Sequence, residues 1–125
     1  MHNETRKWIS QAAKDLGTAG FALNSMDGPL PVTTGLHCQK SAENYLKAYL
    51  QENQIRFSDH QNLNSLFEAC ILADTSFEIL RNDINQLAGY SIASNYPESE
   101  NSLSFREKAV ATAKRVEVFV LGKLN

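Results

Sequence analysis

Only two residues of the chain are cysteine and three are proline, and each scarcity closes off a kind of protein. Cys38 and Cys70 have no paired spacing, so neither a CxxC redox pair nor a zinc set can be built from them. They are expected to behave as small buried hydrophobes in a reducing compartment. The six glycines never cluster as GxGxxG or as GxxxxGK followed by Ser or Thr, which removes the dinucleotide turn and the P-loop. No apolar run approaches the roughly 18 residues of a membrane span. The opening MHNETRK has no signal-peptide hydrophobic region, and the expected location is cytoplasmic. His2, His37 and His60 are far apart, none with a second histidine at helical spacing, so no metal site and no cofactor are expected. Sustained period-two alternation is absent too. The VEVFVL run, Val116 to Leu121, is the one place where a strand could compete, and its position at the end of a helical pattern favours helix.

What is present is ordinary globular composition, 42% apolar and 21% charged over 125 residues, consistent with one domain over residues 1–125. The net charge of −2 argues against coating nucleic acid by bulk attraction. The charge is unevenly spread. Glu68, Asp74, Glu78, Asp83, Glu98 and Glu100 face only Arg81 in their interval, whereas Arg106, Lys108, Lys114, Arg115 and Lys123 outnumber Glu107 and Glu117 after it. A basic surface on the last helix is expected from this.

The helical periods are clear. Asn3 or Thr5 caps a first helix to about Leu23, with Trp8, Ala12, Leu16, Ala19 and Leu23 on one face. Trp8 is expected to be a core or interface anchor. Gly17 and Gly20 each cost roughly 1 kcal/mol in a helix interior, and close approach of a neighbouring helix is the expected compensation. Ser25 to Pro31 breaks the chain through Asp27-Gly28 and two prolines. A second helix starts near Pro31 or Val32 and ends between Glu52 and Gln54. A third covers about Asn62 to Ala73. After an interruption at Asp74 and Thr75, a fourth segment carries Phe77, Leu80, Ile84, Leu87 and Ala88, capped by Thr75 or Ser76 and stopped by Gly89. Tyr90 to Asn101 is a loop. Ser104 and Glu107 form a capping-box pattern for a last helix to about Leu124, with Ala109, Ala113, Val116 and Val120 inward. The expected fold is all-α: an antiparallel four-helix up-and-down bundle whose third interval is split in two.

The stretch LHCQKSAENYLKAYL, Leu36 to Leu50, organises this pattern. Cys38, Ala42, Tyr45, Leu46 and Tyr49 share one side of its helix. His37, Lys40, Asn44, Lys47 and Gln51 line the other, which the pattern alone makes a solvated face. Beyond it, Arg56 and His60 sit in a polar connection. Such a pair could stabilise and protonate phosphate oxygens in metal-independent RNA cleavage.

The same stretch resembles the second helix of the HEPN domain family, which commonly reads like FHAQQAAEKALKALL. His37, Gln39, Ala42, Glu43, Leu46, Lys47, Ala48 and Leu50 match without a gap. Trp8, Ala12 and Asp15-Leu16 resemble the family's first helix, Tyr96-Pro97 its Tyr-Pro, and Ala109, Ala113 and Phe119 its last helix. The chain departs in three places: His60 stands one residue early before Leu63, Asn95 replaces an Arg before Tyr-Pro, and Arg56 has only three residues before His60. Ribonuclease branches of the family space that Arg and His by four to six. The resemblance implies a small helical bundle that tends to dimerise, associates with nucleotide or RNA, and often pairs with a small nucleotidyltransferase in a toxin–antitoxin-type arrangement. It favours a non-catalytic nucleotide-binding or partner-binding module. Lys40 and Lys47 would supply phosphate charge, with His60, Asn95 and Tyr96 as polar or stacking groups. An endoribonuclease using Arg56 and His60 is the alternative.

Overall fold

The computed structural model describes residues 1–23, 31–91 and 103–125, and every regular element among them is helical. Helix α1 spans Asn3–Leu23, α2 Pro31–Glu52, α3 Leu63–Ala73, α4 Arg81–Ala88 and α5 Leu103–Leu124. A 3₁₀ stretch, Thr75–Leu80, runs into α4, and a 3₁₀ turn, Gly89–Ser91, follows it. The Ser25–Pro31 break lies mostly outside the described residues, but α2 begins at Pro31, where a missing N–H costs nothing. The VEVFVL run is part of α5.

The chain punctuates its helices with side chains. Asn62 caps α3, its side-chain oxygen accepting from the Ser65 N–H at 2.8 Å. Asp74 separates α3 from the next segment and serves both. Its N–H donates to the Cys70 carbonyl at 2.8 Å, and its carboxylate accepts from the Ser76 N–H at 2.9 Å and the Ser76 hydroxyl at 2.6 Å. The cap expected at Thr75 or Ser76 is therefore Asp74, one residue earlier, because a carboxylate at this position reaches the orphan N–H two residues on. Gly89 is not a left-handed stop. Its φ of −66° is right-handed, and the chain tightens into a 3₁₀ turn instead. Helix α5 already includes Ser104, one residue inside the start that the capping-box pattern implies.

At the C-terminal end of α2 the backbone forms a Schellman motif. The Ile55 N–H reaches the Leu50 carbonyl at 2.9 Å and the Gln54 N–H that of Gln51 at 3.1 Å, with Gln54 at φ 58°. That conformation normally selects glycine or asparagine. The motif turns the chain so that Ile55 and Phe57 fold back onto the core.

Helix α2 is the centre of the molecule, packing against α1, α3, α4 and α5. Every residue from Asn44 to Leu50 is buried. Toward α5, the fully buried Tyr45 donates its hydroxyl to Glu117. Tyr49 begins an aromatic series, meeting Phe77 at 4.6 Å with the rings tilted, and Phe77 meets Phe119 at 5.0 Å. Leu63, Leu66, Phe67 and Cys70 of α3, Leu80, Ile84 and Leu87, and Ala109, Ala113, Val116 and Val120 of α5 complete the core. Each large side chain so enclosed contributes about 1.5–3 kcal/mol.

Two expectations change here. The cations of α5 do not form a free basic surface along its length, because the acids of the preceding interval meet them: Lys123 pairs with Asp74 at 2.9 Å and Arg115 with Asp83 at 2.9 Å. Nor do Gly17 and Gly20 admit a neighbouring helix. Among the described residues, a Cβ at either position would meet nothing within 4 Å.

Candidate functional site

The residues that could do chemistry gather where α1 lies along α2. The Ser41 hydroxyl donates to the Ala12 carbonyl at 2.9 Å and pins the two backbones together. Next to it, Asp15 of α1, only 8% exposed, accepts from Asn44 Nδ2 at 3.1 Å and faces His37 Nδ1 at 3.4 Å. One turn further along α2, the Lys47 ammonium stands 4.8 Å from the centre of the Trp8 ring. The ring also meets Phe57 at 5.7 Å in a T-shaped contact. Asn44 and Lys47, taken from the pattern as part of a solvated face, are in fact 9% and 7% exposed. His37 is half-buried on Asp15. Only Lys40 of that stripe is exposed. The stripe is the seam between α1 and α2, and α1 supplies Asp15 and Trp8 to satisfy it.

The seam opens into two adjoining recesses. A polar one of about 340 Å³ is lined by Gln11, Asp15, Lys40, Glu43, Asn44, Lys47 and Asp59. A second, of about 420 Å³, is lined by Glu4, Trp8, Gln51, Gln54, Ile55, Arg56, Phe57 and Asp59. Asp59 belongs to both walls. The turn carrying it is built from its own side chains, the Ser58 N–H donating to Gln61 Oε1 at 2.7 Å and the His60 N–H to Ser58 Oγ at 3.1 Å. Beneath the second recess, Glu52 accepts from the His2 N–H and the buried Thr5 hydroxyl, both at 2.9 Å. The His2 N–H, with Thr5 behind it, holds the Glu52 carboxyl below its ordinary range.

The electrostatics of the polar recess turn on Lys47. Among the described residues it has no ion-pair or hydrogen-bond partner, and the indole face is its one specific contact. A cation–π contact supplies about 0.5–2 kcal/mol, far less than full hydration of an ammonium. Asp15 is committed to Asn44 and His37, and Glu43 to Gln39 Nε2 at 3.2 Å. Lys40 is likewise unpaired among the described residues. An anion entering the recess would meet the ammoniums of Lys40 and Lys47 without breaking an existing salt bridge, and beside them the carboxylates of Asp15, Glu43 and Asp59. Lys47 covers one face of Trp8, so on that face the indole serves the lysine.

The structure thus brings Lys40 and Lys47 onto one wall. Arg56 is exposed on the second recess. His60, also exposed, follows Asp59 but lines neither recess. No hydrogen bond or ion pair joins Arg56 to His60. Asn95 and Tyr96 lie outside the described residues. Sequence reasoning placed Asn44 on the polar side of α2 but did not name Asp15 or Asp59 as parts of the site. The signal for Asp15 was a carboxylate beside Leu16 on the inward side of α1, between the apolar positions Ala12 and Ala19. Among the described residues no group of three or more His, Cys, Asp or Glu side chains converges as a metal site would need, and no helix is long and apolar enough to cross a membrane.

An all-helical fold whose central helix packs against α1, α3, α4 and α5, with a polar seam along α1, defines a small all-helical class of protein. The family model described as HEPN domain matches residues 5–123. The chain belongs to the HEPN domain family. No curated protein and no solved structure matches it.

Proposed function

We propose that this HEPN protein is a non-catalytic nucleotide-binding or partner-binding module, and that the α1–α2 recess receives the phosphate of its ligand. The carrying observation is Lys47: an ammonium 7% exposed, without a counter-ion among the described residues, on the wall of a polar recess that also holds Lys40. Buried charge is costly unless paired, and a phosphate would pair it. Lys47 also falls on a position that the HEPN second-helix run fixes. The family supports the remaining parts of the reading: a homodimer in the cytoplasm, an antiparallel up-and-down course of α1, α2, the α3–α4 interval and α5, and pairing with a small nucleotidyltransferase in a toxin–antitoxin-type unit.

Calorimetry with ATP, GTP and a short RNA tests the binding reading. Wild type should bind at least one of them, and Lys47→Met, which keeps the length and packing of the side chain, should weaken that binding at least about tenfold, the loss of one charge-assisted phosphate contact. Absence of binding by wild type, or equal binding by the variant, removes the recess from consideration. Co-purification with the product of an adjacent nucleotidyltransferase frame tests the partner reading separately.

A further inference from the structure

A second surface shares no residue with the α1–α2 recesses. Where the 3₁₀ stretch and α4 meet α5, an apolar groove of about 500 Å³ opens to solvent. Ile79 and Val118 stand on its walls 75% and 70% exposed, while Leu80 and Phe119 close it toward the core. On α5, the groove is lined by Ala111, Lys114, Arg115 and Val118, which follow the i, i+3, i+4, i+7 spacing of one helix face. That face is two turns long, about 12 Å, and small at Ala111, so a larger side chain from outside has room there.

Charge at the rim selects the occupant. Asp83 Oδ1 accepts from Arg115 Nε at 3.2 Å and from its terminal Nη2 at 2.9 Å, so those two charges cancel. Lys114 is exposed and has no partner among the described residues. The groove therefore carries an apolar floor and one uncompensated positive charge.

We propose that this groove docks an amphipathic helix of a partner protein, one that presents an apolar stripe at i, i+3 or i+4, and i+7, with carboxylates along one edge. Helix-in-groove recognition uses that stripe for affinity, and the edge charge sets orientation and on-rate. A second copy of this chain is the poorer fit, because two such grooves placed face to face would bring one net positive rim against another. The proposal is independent of the phosphate recess and stands or falls without it.

The test uses the full chain and a synthetic helical peptide of about five turns with a leucine stripe and a glutamate edge, alongside its twin with a lysine edge. Fluorescence anisotropy should show the glutamate-edge peptide binding wild type at least about tenfold more tightly than its twin. Val118→Asp and, separately, Ile79→Asp should each weaken the glutamate-edge peptide at least about tenfold. Lys114→Glu should reverse the preference between the two peptides. All three positions are exposed, and a retained thermal transition confirms the fold of each variant. Failure of wild type to bind either peptide, equal binding of both, or indifference to both aspartate substitutions overturns the proposal. Sedimentation showing a wild-type dimer that Val118→Asp dissociates also overturns it, since the occupant would then be a second copy.

Discussion

Lys47 is only 7% exposed, and its one specific contact among the described residues is an aromatic ring and not a carboxylate. Its effect on stability should therefore run opposite to its effect on binding. Lys47→Met removes the desolvation cost and exchanges the cation–π contact for a sulfur–aromatic one of similar size. Thermal unfolding of the variant should show no loss of stability and a gain of up to about 1 kcal/mol. A loss larger than that would mean the ammonium is structural. Asp74 is the opposite kind of charged residue, fully engaged. The Lys123 ammonium, with the Ser76 hydroxyl and N–H behind it, pulls the Asp74 carboxyl from 3.8 to about 2. Folding thus lowers its proton affinity, so its stabilising contribution is whole above about pH 4 and drains away as the pH falls toward 2. Asp74→Asn keeps a capping side chain and loses the titration. Urea midpoints measured across that interval should fall less steeply with acid for the variant than for wild type; parallel curves would refute the assignment. The sequence showed Lys47 in register with the family but hid its burial. The cause is that a helix wheel reports only what one helix carries, and the groups that enclose Lys47 and Asn44, Trp8 and Asp15, come from another helix.

The helices themselves were legible because each carries its own period and its own terminators. The ends of α1, α2, α3 and α5 fall within a residue or so of the positions that Asn3, Pro31, Asn62 and Leu124 imply. Where reading failed, a residue did two jobs or none. Asp74 terminates one segment and caps the next, which no single-helix pattern displays. Gly17 suggested a close crossing that none of the described residues makes, so its flexibility is uncompensated. Gly17→Ala, with open space at the Cβ and no positive φ, should raise stability by about 0.5–1 kcal/mol and the melting temperature by about 4 °C. A decrease would indicate a partner helix at that site in solution. The Schellman end of α2 offers the complementary case. Gln54 occupies a left-handed position suited to glycine, and Gln54→Gly should stabilise by about 0.5–1 kcal/mol after the extra freedom of the unfolded chain is subtracted. Differential scanning calorimetry would measure it, and an unchanged or lower midpoint would show that the Gln54 side chain contributes more than its backbone costs. Gln54 also lines the second recess, where a strained non-glycine residue is retained most readily.

At the scale of the molecule, the all-helical class and the central place of α2 were both visible in Leu36–Leu50, since no other stretch has so little surface-like sequence on its apolar side. The candidate site was only half visible: Lys40 and Lys47 were named, while the walls that make them a recess depend on the α1–α2 packing. The thiols report on that packing as a whole. Cys38 and Cys70 are wholly enclosed, and burial pushes both up to about 12, so the nucleophilic thiolate is scarce and unreachable. Alkylation by iodoacetamide in native buffer should proceed only at the rate of global unfolding, with both cysteines modified together in denaturant. Modification of either at the rate of a free thiol would show local opening. One further consequence follows from the Tyr45–Glu117 hydrogen bond, whose two ends lie 72 residues apart in the chain. On the ribosome, α2 is made long before α5 exists, and at about 5–20 residues per second its tyrosine side waits about 4 to 14 seconds for its cover. The nascent chain therefore carries its most central helix half-clothed through that interval, and α5 is the helix that seals it.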